Sequence, residues 1–131
     1  MQEKINAKLN TERELSGGEG FVQVYDVARY TVVVRGQRES TGNHLWVEVR
    51  KNQDITDTQY LPSLSVGCFD DEGFARRADV SVGTTSYGAL SLAEIGKFMD
   101  AMAEGIAVAK YVSEKFLQPM VDGEWNWEVS K

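Results

Sequence analysis

The 131-residue chain is predicted to fold as α+β, with an antiparallel sheet of four or five strands packed against one long C-terminal helix. Three observations carry that expectation. Between Phe21 and Val82, short stretches alternate apolar and polar residues, the period of a half-buried strand, and polar or glycine-bearing segments separate them. From Ser91 onward the apolar period lengthens to three and four residues, which is that of an amphipathic helix. No strand–helix–strand alternation intervenes, so the strands read as a meander rather than as parallel βαβ units.

Met1 to Leu15 is polar, with Ile5 and Leu9 four apart, a spacing that suits two turns of helix. Residues 1–18 are therefore expected to be flexible or briefly helical. Ser16-Gly17-Gly18-Glu19-Gly20 ends any helix, because glycine loses the most backbone entropy on ordering. Phe21, Gln23, Tyr25 and Val27 then share one strand face, and Tyr30, Val32 and Val34 share another, with Val33 opposite. The β-branched run Thr31-Val32-Val33-Val34 disfavours helix and fits a pleated surface. Gly36 to Asn43 reads as a turn. His44 to Lys51 alternates cleanly, Leu45, Val47 and Val49 pointing one way and Trp46, Glu48 and Arg50 the other. Pro62 excludes a central ladder position, Leu64 to Phe69 reads as a fourth strand, and Ala78 to Val82 as a short fifth.

Ser91-Leu92-Ala93-Glu94 is a capping box, in which the serine oxygen accepts an orphan amide hydrogen and the glutamate reaches back. Ile95, Phe98, Met99, Met102, Ile106, Ala109, Val112 and Phe116 form a stripe predicted to face the sheet, and Pro119 is expected to end the helix. Gly105 inside it costs about 1 kcal/mol against alanine, which a close backbone approach would explain. The chain reads as a single domain, 1–131, with 119–131 as a C-terminal tail.

Composition narrows the function classes. A 42% hydrophobic and 26% charged chain is an ordinary globular protein, large enough to hold one core. The single cysteine, Cys68, excludes a disulfide framework and suits a reducing cytoplasm, the expected location. No signal-peptide segment and no apolar run of about 20 residues is present, so no membrane partner is expected. A net charge of −6 argues against direct nucleic-acid binding, which asks for a basic face.

No catalytic, cofactor or metal signature is found. His44, the only histidine, and Cys68, the only thiol, lack a flanking motif and read as a strand residue near a turn and a small core residue. Gly83 to Gly88 has phosphate-loop glycine spacing, but Ala89-Leu90 stands where lysine and serine or threonine would be needed. Asp70-Asp71-Glu72 lacks calcium-loop spacing. Between Asn52 and Ala75, however, Asp54, Asp57, Asp70, Asp71 and Glu72 occur with no lysine or arginine, a one-signed surface able to dock on a basic groove. Trp46 lies opposite the core-facing residues of its strand and is the candidate anchor, tryptophan being enriched at interface hot spots, the alternative being that the N-terminal segment or the tail covers it. Trp125 and Trp127 are further candidates.

Ser86-Tyr87-Gly88-Ala89-Leu90-Ser91, followed by Glu94, Phe98, Met102, Ala107, Ala109 and Lys110, resembles the ends of small, uncharacterised bacteriophage and prophage proteins. In those, strands run into a "G-x-[LM]-S-x-x-E" turn and an alanine-rich helix. The resemblance covers the last third of the domain and assigns no active residues. By analogy with such proteins, it implies an anti-CRISPR-like inhibitor of a host defence nuclease. The expectation is a non-enzymatic protein-binding module whose partner has a basic surface, such as the channel of an RNA-guided nuclease. A ligand-binding protein or enzyme with a pocket between sheet and helix is the alternative, and a self-associating phage accessory protein is a third reading.

Overall fold

Alternating side chains can bury one face of a strand only if neighbouring strands keep that face in register. In the computed structural model, which describes residues 5–15, 20–39, 42–52, 58–66, 78–83 and 88–124, they do so. Strands β1 (Ala7–Leu15), β2 (Gly20–Val27), β3 (Tyr30–Glu39) and β4 (Gly42–Lys51) form an antiparallel meander in the order β1-β2-β3-β4. Gln23, Val34 and Val47 fall in one cross-strand row on the inner face, and Tyr25, Val32 and Val49 in the next. β5 (Ser63–Val66) and β6 (Val80–Gly83) make a separate two-stranded antiparallel sheet rather than extending the first. Helix α1 (Leu92–Val112) continues through a π-helical turn (Ser113–Leu117) into α2 (Gln118–Val121).

One apolar cluster joins these layers. Phe21, Val27, Tyr30, Val32, Val34, Leu45, Val47 and Val49 of the large sheet meet Leu61 and Leu64 around β5, and Val108, Val112, Phe116, Leu117 and Met120 of the helical rod. Arg29 binds the rod to the β2–β3 turn: its guanidinium lies 3.0 Å from Glu104, and its backbone N–H donates to the same carboxylate at 3.2 Å. At the other end, the Ala7 N–H donates to the Tyr111 hydroxyl at 2.9 Å.

Several expectations need correcting. Residues 7–15 are a strand, not helix; Ile5 and Ala7 pack against the core, Leu9 is exposed, and a bulge between Leu9 and Thr11 interrupts the period. The polar stretch after Gly36 is mostly ladder, because β3 runs to Glu39 and β4 starts at Gly42. Pro119 does not stop the helix. The proline falls in the first turn of α2, and the π-helical turn before it carries the chain past the lost backbone donor. That turn also advances the helix face by one residue, so the consecutive Phe116 and Leu117 are both buried.

The largest correction concerns the helix face. The buried residues of α1 are Ala101, Gly105, Val108, Ala109 and Val112. Ile95 and Ile106, expected in the core, are 40% and 42% exposed, and Phe98 and Met102 are only half-buried. Ala109, Val112 and Phe116 of the expected stripe are buried, whereas Leu92, Ile95, Met99 and Ile106 turn aside and Ala101 and Gly105 face the sheets.

The capping box is present as expected. Glu94 N–H donates to the Ser91 hydroxyl at 3.1 Å, Ser91 N–H donates to the Glu94 carboxylate at 3.1 Å, and Tyr60 adds its hydroxyl at 3.0 Å. The Ser91 backbone bond, then those from the Tyr60 and Ser91 side chains, hold the Glu94 carboxyl below its ordinary range. A depressed acid stabilises the fold fully above its unfolded pKa, and the gain is lost as pH falls through the lower folded value. The expected result is a shallow acid-side loss of stability, below about pH 4.3, that Glu94→Gln removes. Urea melts at pH 5 and pH 3 on both proteins test it; equal acid slopes would refute it.

Candidate functional site

The face of the large sheet opposite its buried apolar rows carries an open groove. Period-2 alternation puts Arg13, Val22, Arg35 and Trp46 in one row across all four strands, each opposite the next. Thr11, Val24, Val33 and Glu48 form the adjoining row, and Lys8, Asp26, Thr31 and Arg50 the one beyond. Gln37 and His44 are paired on the other side of Trp46.

Arg13, Val22, Val33, Arg35, Gln37, Trp46 and Glu48 line an open groove of about 530 Å³. Val33 forms its floor, only 4% exposed although it points away from the core. Trp46 forms a wall and is 39% exposed. The His44 ring stacks on the indole, centroids 5.6 Å apart and planes 20° from parallel, which limits the orientations the tryptophan can adopt.

Among the described side chains of this face, four cations, Lys8, Arg13, Arg35 and Arg50, stand against two acids, Asp26 and Glu48, on a protein of net charge −6. Asp26 accepts bonds from Asn10 at 2.8 Å and Asn52 at 3.5 Å. Among the described residues, Arg13 and Arg35 make no ion pair or side-chain hydrogen bond. A guanidinium without a protein acceptor beside an exposed aromatic is equipped to take a carboxylate or phosphate bidentately.

Of the residues singled out from sequence, Trp46 lies where expected, opposite Leu45, Val47 and Val49, which are buried. Asp54, Asp57, Asp70, Asp71 and Glu72 lie outside the described residues, as do Cys68, Trp125 and Trp127. Sequence reasoning missed Arg13 and Arg35. Arg35 shares its strand parity with Val33, already placed opposite the core face, so that signal was available. Arg13 sat in a segment read as helical, and only the β1–β2 register brings it to the groove.

Among the described residues, no three histidine, cysteine or acidic side chains come together as metal ligands, and no helix is long and apolar enough to cross a membrane. Comparison with family models, with curated proteins and with solved structures finds no match to this chain.

Proposed function

We propose that the protein is a non-enzymatic protein-binding module whose open sheet face grips an acidic surface of its partner. The observation that carries this reading is the exposed Trp46, held by His44 in a groove flanked by Arg13 and Arg35. The indole supplies the apolar anchor and the guanidiniums supply direction, a division common in interfaces, where aromatic and arginine residues dominate binding energy. Rigid strands carry all of these side chains, so little ordering entropy opposes binding.

The narrower version sets Asp54, Asp57, Asp70, Asp71 and Glu72 against the basic channel of an RNA-guided nuclease. That version, with its phage origin, is supported by sequence alone. The two versions differ in sign and can be separated.

The partner is to be captured with the parent protein as bait and its binding followed by surface-plasmon kinetics. Trp46→Ala is expected to speed dissociation by about thirtyfold or more, the effect of losing a hot spot worth at least 2 kcal/mol. Arg35→Glu is expected chiefly to slow association, and more so at low salt. Circular dichroism should show both variants folded. Parent-like kinetics in both would refute the sheet-face reading. If Asp70→Lys with Asp71→Lys alone abolished binding, the acidic-loop version would replace it.

A further inference from the structure

We propose that α1 pairs with α1 of a second copy of this chain, antiparallel, about a two-fold axis passing between Met99 and Met102. Leu92 is 93% exposed, Met99 64%, Ile106 42% and Ile95 40%. With half-buried Met102 they recur at intervals of three and four residues along one side of the helix, which is the a/d seam of a helix pair. No ionisable residue interrupts the series. Ala103 beside it is small enough to let a second helix approach closely.

Three features make the occupant another copy rather than an unrelated helix. The seam is self-complementary. In antiparallel pairing, Met99 faces Met102 of the second copy and Ile95 faces Ile106, each contact occurring twice, as a two-fold interface requires. The same alignment brings Leu92 opposite Ala109. There, a groove of about 350 Å³ runs between the helix and β6, lined by Val80, Val82, Ile106 and Ala109. The most exposed leucine thus meets an apolar slot on its own twin. Charge agrees as well: Asp79 and Glu114 on that groove outnumber Lys110, and the positive N-terminal end of the second helix arrives beside them.

The same seam accounts for a local oddity of the fold. Large residues would ordinarily face the sheets, yet α1 buries alanine, glycine and valine there and keeps its leucine, isoleucines and methionines aside. A patch of this kind on a folded domain marks an interaction surface. One helix face per copy is smaller than the roughly 800 Å² that each partner contributes to a standard interface. The dimer should therefore dissociate in the micromolar range.

Sedimentation equilibrium of the parent protein from 1 to 300 µM tests this. A dimer is expected, and Leu92→Ser and Met99→Glu should each raise its dissociation constant tenfold or more. Asp100→Asn, on the polar flank, should not. Leu92 and Met99 are exposed in the monomer, so the circular dichroism of both variants should match the parent. Orientation is read on a Cys68→Ser background, by oxidising an Ile95→Cys protein mixed with an Ile106→Cys protein. Disulfide between unlike chains supports the antiparallel seam. Links only between like chains would overturn it, as would a parent that stays monomeric throughout or a dimer that Met99→Glu leaves intact.

Discussion

Replacing Phe116 with alanine is expected to lower stability by about 3–5 kcal/mol, the usual cost of deleting a buried aromatic ring. The ring is 4% exposed at the point where the helical rod meets β2. It lies edge-on to Tyr25 at 5.0 Å and to Tyr111 at 6.2 Å, geometries in which the positive ring edge meets a negative face. Neither tyrosine is placed to collapse into the vacancy. The Tyr111 hydroxyl accepts the Ala7 N–H, and the Tyr25 hydroxyl donates to buried Gln23, whose amide in turn donates to Glu12. The cavity term therefore adds to the lost transfer energy. Urea denaturation of the variant against exposed Glu114→Ala checks it, and a loss no greater than the control's would mean that Phe116 does not anchor the rod.

The strands were legible because their faces differ in chemistry. β4 reads Leu45, Val47, Val49 against Trp46, Glu48, Arg50, and a one-residue slip would put three apolar side chains in water. The capping box of α1 was equally plain, since Ser91 and Glu94 report a local geometry that needs no tertiary partner. β1 was not legible. Its residues are polar, and as an edge strand it takes its conformation from the β2 ladder rather than from its own propensity.

The helix was found, but its buried face was read only in part. Hydrophobic periodicity weights a residue by size and apolarity, so its stripe took in Ile95, Met99 and Ile106 along with Ala109, Val112 and Phe116, which are buried. The buried face runs through Ala101, Gly105, Val108, Ala109 and Val112, because the rod lies so near Pro62 at Gly105 that no side chain fits there. The sheet-face site was half visible for a similar reason. Strand parity exposes Trp46 and Arg35 from sequence, whereas Arg13 joins them only through cross-strand register.

The closeness of that packing supplies the second large effect. Gly105→Ala is expected to destabilise the protein, although alanine improves helix propensity by about 1 kcal/mol. A Cβ at Gly105 would run into the Pro62 ring, lying 2.7 Å from its Cδ and 3.1 Å from the Tyr30 hydroxyl oxygen. Pro62 and Tyr30 are both fully buried, and the Tyr30 hydroxyl donates to the Pro62 carbonyl at 2.6 Å. Burial, then the nearby Glu104 carboxylate, raise the Tyr30 pKa well above its ordinary value, so the hydroxyl stays a donor. Helix, β3 and the entry to β5 thus meet with no slack. Overpacking of this kind costs about 1–3 kcal/mol, and separating the hydroxyl from the carbonyl would cost about 1–3 kcal/mol more. Gly96→Ala in the same helix is the reference, because nothing lies within 4 Å of a Cβ built there. The two identical substitutions should move the thermal midpoint in opposite directions, Gly96→Ala upward and Gly105→Ala downward. Pro62→Ala should recover part of the second loss, giving a coupling that a double-mutant cycle can read. Upward shifts in both glycine variants, or a cycle that closes without coupling, would show that the helix can move off Pro62 at little cost.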